Sequence, residues 1–144
     1  MNVRMERSGF TLIEILVAVA ILGIISAAAV ANYGVSVQRS RFDAVQSVLQ
    51  SIYDGEQTFA ASNPTSLYTA IDCTTVQDAL PPAISWRRSL NMDRPCPTPC
   101  APPTVCYAVA VGGGGATFTA TATAPQGTRT IDNTRAPGGS WTRP

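Results

Sequence analysis

The 144-residue chain carries ten arginines, no lysine, no histidine and nine acidic residues, so its net charge is only +1. This length suits one modest domain, and a charge so near zero offers no broad basic field for nucleic acid. Without histidine the chain lacks the commonest general base and the commonest neutral metal ligand, which argues against a typical hydrolase or zinc enzyme. We therefore expect a protein that is not an enzyme and has no cofactor.

The first predicted element is a membrane-spanning helix over residues 10–31. These 22 residues hold one formal charge, Glu14. As a helix they would be about 33 Å long, enough to cross a bilayer core of roughly 30 Å. The preceding nonapeptide MNVRMERSG holds Arg4 and Arg7, which should stay cytoplasmic by the positive-inside tendency. The rest of the chain is therefore expected outside the cytoplasm.

An ordinary cleaved signal peptide is the alternative for this segment. Its small residues end in AVA, and cleavage after Ala31 would release a secreted, disulfide-bonded domain. However, the apolar run is longer than the usual signal-peptide core of about 7–15 residues. A carboxylate such as Glu14 near a membrane core costs about 2.5–3.5 kcal/mol on insertion scales, so it should have a role and a partner. The sequence therefore favours a helix that is retained.

The helical pattern continues over residues 32–62. Apolar residues recur there at steps of three and four, which predicts an amphipathic helix with one buried face. Pro64 ends the helix, because proline disfavours the helical conformation of the residue before it. The predicted buried face consists of Phe42, Val45, Val48, Leu49, Ile52, Glu56, Phe59 and Ala60, and Glu56 is its only polar member.

Residues 63–144 are predicted to form a globular head that holds an antiparallel sheet over residues 106–132. Runs rich in valine, threonine and aromatic residues alternate there with glycine- and proline-containing turns, which is typical of hairpins. We expect three or four strands, covered on their apolar face by the amphipathic helix. The predicted strands are 106–111, 116–124 and 128–132, with turns at 112–115 and 125–127. In the turn-rich tail over 133–144, Trp141 should fold back onto the head.

The segment over residues 67–106 is irregular, because its seven prolines exclude most helix and central strand. Its four cysteines predict two disulfides in an exported head, with three possible connectivities. We favour the pairs in chain order, Cys73 with Cys96 and Cys100 with Cys106. A zinc site of four thiolates is the alternative, which an oxidising compartment disfavours.

The stretch GFTLIE, from Gly9 to Glu14, follows a short basic leader and precedes about twenty apolar residues. It resembles the class III signal of type IV pilins and pseudopilins, and the resemblance extends over roughly residues 7–41. It implies the type IV pilin fold, an α+β fold in which a long N-terminal helix, apolar in its first half and amphipathic in its second, packs on a small antiparallel sheet. It also implies that a prepilin peptidase removes the leader 1–9 by cutting between Gly9 and Phe10, and then methylates the new amine of Phe10.

The same resemblance implies an assembly function. Before assembly, the chain would be anchored in the inner membrane with its head outside the cytoplasm. An assembly platform with a cytoplasmic ATPase would then add it to a surface filament of itself or of other pilins. Phe10 and Glu14 are the expected assembly residues, since in the family the carboxylate matching Glu14 neutralises the N-terminal amine of a neighbouring subunit and so sets the register. A Glu14 side chain that only reaches the membrane interface is the simpler alternative.

More specialised roles in the same family stay open. Minor pilins bind DNA during uptake or adhere to surfaces, and pseudopilins work in type II secretion systems. The small surplus of arginine over aspartate in the head argues against DNA as a partner. Many members also carry a proline eight residues after the glycine that matches Gly23. Because Ala31 stands at that position, a melted segment near Gly23 and a continuous helix both stay open.

Overall fold

The computed structural model describes residues 10–78, 83–97, 99–101, 103–141 and 143. The chain divides into two compact units, Met1–Gln38 and Arg39–Pro144. Helix α1, Leu12–Ser62, contributes residues to both units. The predicted leader over residues 1–9, including Gly9, lies outside the described residues.

The described part of the first unit is helical from Leu12 onward. Every described side chain from residue 10 through residue 36 is exposed, although most of them are apolar. Phe10 is 80% exposed and Ile24 is 73% exposed. The helix continues through Gly23 without a break, which is the continuous form of the two that the sequence leaves open.

In the second unit, the amphipathic face of α1 forms one side of the core. Six of the eight predicted face residues are buried, and the other two, Val48 and Phe59, are half-buried. Leu49 and Ile52 are fully buried at 0% exposure. The three- and four-residue spacing of these side chains therefore places them on the face that packs against the head, as predicted.

The other side of the core is a five-stranded antiparallel sheet in which each strand pairs with its neighbours in the sequence. The fold is α+β, as predicted, but the sheet has five strands instead of three or four. The two additional strands contain two residues each, which is too short for an alternating pattern to reveal them. The strands are β1 Ile71–Asp72, β2 Cys106–Gly112, β3 Thr117–Ala124, β4 Gly127–Asp132 and β5 Pro137–Gly138.

The register of the sheet aligns one buried row across four strands. Ile71 pairs with Val109, Val109 with Ala120, and Ala120 with Ile131. All four side chains are at most 4% exposed. Because successive residues of a strand point to opposite faces, this row explains why threonines of β3 alternate with Phe118, Ala120 and Ala122.

The hairpin between β2 and β3 depends on glycine. Gly113, Gly114 and Gly115 have φ values of 56°, 69° and 97°. Side chains disfavour this left-handed region, whereas glycine adopts it without steric cost. The predicted glycine loop therefore forms as a short 3₁₀ turn over Gly113–Gly115.

The segment predicted to be irregular contains a short helix, α2, Trp86–Leu90. The buried hydroxyl of Ser85 accepts a hydrogen bond from the backbone N–H of Arg88 at 3.1 Å and so caps the helix. Trp86 is fully buried, and its indole N–H donates to the carbonyl of Asp72 at 2.9 Å. A five-residue helix has no room for the periodicity that would predict it.

Helix α2 packs closely against α1 at Gly55. A Cβ atom added at Gly55 would lie 2.8 Å from the carbonyl oxygen of Leu90 and 2.9 Å from its Cβ. Leu90 is itself buried at 3% exposure. The glycine therefore permits a close approach that alanine would obstruct, although glycine weakens the helix itself.

The tail folds back onto the second unit, as predicted for Trp141. This side chain is 6% exposed and packs edge-on against Phe42, with 5.8 Å between ring centroids. Its backbone N–H donates to the carbonyl of Thr128 at 2.9 Å.

Three arginines attach β4 and the tail to the polar flank of α1, and we refer to them as the arginine clamp. Their guanidinium groups reach side-chain oxygens of Asp43, Gln46 and Gln50, which lie three and four residues apart on the helix. The contacts are Arg143 to Asp43 at 3.0 Å, Arg129 to Gln46 at 3.1 Å and Arg135 to Gln50 at 2.8 Å.

Candidate functional site

Glu14 lies in the first turn of α1 and closes a capping box with Thr11. The Thr11 hydroxyl accepts a hydrogen bond from the Glu14 N–H at 3.3 Å, and the Glu14 carboxylate accepts one from the Thr11 N–H at 3.5 Å. Each side chain thus satisfies an N–H group that the helix leaves without an internal partner. The carboxylate is therefore directed towards the start of the helix, where the helix dipole favours negative charge. The spacing Thr-x-x-Glu within GFTLIE is the sequence signal for this arrangement.

Phe10, the predicted first residue after processing, precedes α1 and is exposed. Its predicted partner in cleavage, Gly9, lies outside the described residues. Around Glu14 the helix presents only apolar or small uncharged side chains up to residue 27, all of them exposed. The described segment therefore combines one carboxylate with an extended apolar surface.

The sequence predicts a membrane-spanning helix over residues 10–31. Within the described part of the chain, no helix meets the length and hydropathy that a bilayer crossing requires.

The four cysteines form two disulfides, Cys73–Cys96 and Cys100–Cys106. These are the chain-order pairs that the sequence favours. The Sγ atoms of Cys73, Cys96 and Cys100 lie within 4.8 Å of one another, a separation that metal-ligating thiolates also adopt. Because these sulfurs are bonded in pairs, they are not available as thiolate ligands, and the disulfide interpretation replaces the zinc alternative here.

Glu56 is a second carboxylate with an unusual environment. It is 0% exposed, and one of its oxygens accepts a hydrogen bond from the Thr69 N–H at 2.9 Å. Its other oxygen has no hydrogen-bond partner within the described residues. Burial raises the pKa of Glu56 to about 7, and the Thr69 hydrogen bond opposes this shift only in part. The sequence places Glu56 on the buried face but does not show that its second oxygen lacks a partner.

The second unit contains a groove with a volume of about 500 Å³. Residues of α1, of the proline-rich segment and Trp141 line it. Its lining is mainly apolar, including Val45, Val48 and Tyr107, and Arg41 contributes the one charged side chain. Thr104 and Gln126 are the uncharged polar side chains of this lining.

The arginines that the sequence offered for DNA binding are largely engaged within the head. Arg87 contacts Asp78 at 3.5 Å and Asp93 at 2.7 Å. The arginine clamp is engaged with α1. An arginine held by an internal partner contributes less to phosphate binding than a free one, because the internal contact must be lost or shared.

Comparison with protein-family models supports the N-terminal signal. Residues 4–30 match the model described as the prokaryotic N-terminal methylation motif. No match was found among curated proteins or among solved structures. The matched stretch includes Gly9, Phe10 and Glu14, so the chain carries the class III signal of type IV pilins and pseudopilins. The motif implies processing by a prepilin peptidase and assembly with other pilins, and the α+β fold is consistent with the pilin fold.

Proposed function

We propose that this chain is a structural subunit of a type IV pilus-like surface filament. Its precursor would be cut after Gly9 and methylated on the new amine of Phe10. The observation that supports this most directly is the exposed apolar surface over residues 10–27, which has Glu14 as its only charge and lies within the matched methylation motif. Such a surface needs lipid or other helices around it.

Glu14 supplies specificity in this proposal. In a bundle of apolar helices, an unpaired carboxylate is strongly penalised, and a matched cation offsets much of the penalty. The amine of Phe10 in a neighbouring subunit is the matching cation. A subunit added in the wrong register would leave both charges unpaired, so the pair sets the register more than it adds net stability.

Before assembly, we propose that residues 10–31 hold the chain in the inner membrane with the head outside. The basic leader and the apolar composition of this segment support that orientation. An assembly platform driven by a cytoplasmic ATPase would then extract the subunit into the filament. The proposed role is assembly without catalysis and without a cofactor, which the absence of histidine supports.

The first experiment is mass spectrometry of the N-terminus of protein sheared from the cell surface. The proposal requires a mature chain that begins at N-methylated Phe10. A chain that begins at Asn32 would contradict the proposal and indicate an ordinary signal peptide. The abundance of this chain relative to other pilins in the same filaments would distinguish a main structural subunit from a minor pilin used in DNA uptake or adhesion. Absence from surface filaments, with correct processing, would indicate a pseudopilin.

A further inference from the structure

The two disulfides of the head form one cluster of sulfur atoms. Cys100 is bonded to Cys106, yet its Sγ lies within 4.8 Å of the Sγ atoms of both Cys73 and Cys96. Cys73 and Cys96 are each 5% exposed, whereas Cys100 and Cys106 are half-buried. One disulfide is therefore shielded from solvent, and the neighbouring one is partly accessible.

This arrangement matters because a disulfide opens when a thiolate attacks one of its sulfurs. A dissolved thiol has little access to the shielded Cys73–Cys96 bond, and access limits the rate of exchange. The Cys100 sulfur already lies beside that bond. Once its own bond to Cys106 is broken, Cys100 becomes an internal thiolate with a high effective concentration at the shielded pair.

A backbone hydrogen bond favours one direction of exchange. The N–H of Tyr107 donates to the Sγ of Cys73 at 3.0 Å, and the Tyr107 carbonyl oxygen lies 3.2 Å from the same Sγ, where it can accept a hydrogen bond from the Cys73 thiol once that thiol is released. A donated hydrogen bond stabilises a thiolate and makes that sulfur the better leaving group. Attack by Cys100 should therefore fall on Cys96 and release Cys73.

We propose that Cys100 acts as an internal nucleophile that makes the shielded Cys73–Cys96 disulfide sensitive to thiols. A low-molecular-weight thiol attacks Cys106, forms a mixed disulfide there and releases the Cys100 thiolate. Cys100 attacks Cys96, which forms the Cys96–Cys100 bond and releases the Cys73 thiolate. Cys73 then attacks Cys106, forms a Cys73–Cys106 bond and regenerates the thiol, so the exchange needs no net oxidant or reductant.

The exchange would change which segments of the head are joined. Cys73 directly follows β1, and the Cys73–Cys96 bond links it to the segment after α2. After exchange, the Cys96–Cys100 bond closes a loop within CPTPC, and β1 is joined to β2 through Cys106. The segment from α2 to Cys96 would then no longer be joined covalently to β1, and noncovalent contacts such as the Trp86–Asp72 hydrogen bond would remain. This inference is independent of the proposed function, because it concerns the head alone.

A matched pair of variants tests the proposal in the full-length protein, purified in detergent under non-reducing conditions. Cys106→Ser leaves the Cys100 thiol beside the shielded bond, and Cys100→Ser leaves the Cys106 thiol instead. At about pH 8 a thiol with an ordinary pKa of about 8.5 is partly ionised. After alkylation and peptide mapping, Cys106→Ser should contain Cys96–Cys100 with free Cys73. Cys100→Ser should keep Cys73–Cys96. Retention of Cys73–Cys96 in both variants, or equal rearrangement in both, would overturn the proposal.

A kinetic measurement avoids dependence on either single variant. The unaltered protein and the Cys100→Ser/Cys106→Ser double variant are incubated with reduced glutathione and quenched by alkylation at intervals. Loss of the Cys73–Cys96 linkage is then followed by peptide mapping, because the exchange itself leaves no additional thiol to alkylate. The proposal predicts opening at least ~10-fold slower in the double variant, since the internal nucleophile is absent. Equal rates in the two proteins would show that external thiols reach the shielded bond directly and would refute the internal route. A double variant that exchanges faster would refute it as well.

Discussion

At the scale of single residues, Glu56 makes the stability of the head depend on pH. Its folded-state pKa of about 7 is raised from an ordinary value of 4.5, so the folded state binds a proton more tightly than the unfolded chain. Protonated Glu56 therefore makes its full contribution to the stability of the head below pH 4.5, and this contribution is lost as the pH rises through 7. The shift corresponds to about 3 kcal/mol.

Replacing Glu56 with Gln should remove this dependence. We expect Glu56→Gln to be more stable than the unaltered protein at pH 8 by up to about 3 kcal/mol, and nearly equal to it at pH 4.5. Chemical unfolding followed by circular dichroism at both pH values would measure this. The pKa values of Asp72 and Asp132 are lowered, chiefly by hydrogen bonds from Thr74 and Thr134. The pH dependence of stability that these two carboxyl groups add therefore falls mainly below pH 3.8, outside the range in which Glu56 titrates. A variant with the same pH profile as the unaltered protein would contradict the assignment.

The capping box gives Glu14 a second role that substitutions can separate from its charge. Glutamine also serves at the third position of a capping box, so Glu14→Gln should keep the helix start but lose the anion. We expect both Glu14→Gln and Glu14→Ala to be processed normally and to enter filaments poorly. Thr11→Ala removes the capping hydroxyl and keeps the charge, so it should still assemble. Immunoblots of sheared filaments and of whole cells measure both steps. Efficient assembly of Glu14→Gln would exclude a charge-based register.

Residue-level prediction from the sequence succeeded where a pattern is local. GFTLIE identifies the processing signal within six residues, whereas the Thr-x-x-Glu spacing inside it, a local signal of the capping box, was not used to predict that contact. The need for glycine at Gly55 cannot be recognised from neighbouring residues, because it comes from the close approach of the Leu90 backbone, 35 positions further along the chain. A sequence alone presents that glycine only as a weak point of the helix.

At the scale of elements, the contact between α1 and α2 predicts an unusual response to alanine. Gly→Ala normally strengthens a helix interior by about 1 kcal/mol. At Gly55 the added methyl group would collide with Leu90, so we expect a net destabilisation of about 1–3 kcal/mol. Gly34 lies on the same helix with nothing within 4 Å of an added Cβ, and Gly34→Ala serves as the control. Thermal unfolding should show a lower Tm for Gly55→Ala and no decrease for Gly34→Ala. A higher Tm for Gly55→Ala would mean that the two helices separate readily.

The elements that the sequence missed share a physical property. β1, β5 and α2 contain two, two and five residues, and each depends on partners elsewhere in the chain. β1 forms where Ile71 joins the buried row at Val109, and α2 is fixed by the burial of Trp86. Long periodic elements can be predicted from the pattern of their own residues. Short elements such as these form only because tertiary contacts stabilise them.

At the scale of the whole molecule, the two disulfides should differ in their contribution to stability. Their cysteines are separated by 23 and 6 positions. In the chain-entropy model, removing the longer cross-link costs about 3 kcal/mol and removing the shorter one about 2 kcal/mol. Urea unfolding of the Cys73→Ser/Cys96→Ser and Cys100→Ser/Cys106→Ser variants measures the difference. A larger loss in the second variant would contradict the model for this head.

The overall architecture was predictable because its main pattern is strong: an apolar run, an amphipathic helix and alternating strands. The contacts that attach β4 and the tail to α1 were not predictable, because the arginine clamp joins residues that lie 83 to 100 positions apart in the chain. Contacts between residues so far apart have no short sequence motif by which they could be predicted. The sequence predicted correctly that Trp141 returns to the head, but it did not identify Phe42 as the ring it meets.

The contact between Phe42 and Trp141 also affects the order in which parts of the head can fold. These residues lie 99 positions apart, near the beginning and the end of the second unit. During synthesis, or during passage through any translocation channel, Phe42 emerges long before the ring that covers it. The strands can pair one after another as they appear, because each neighbours the next in the sequence. Phe42, however, is covered only once Trp141 has emerged, so this part of the core forms after all five strands are available.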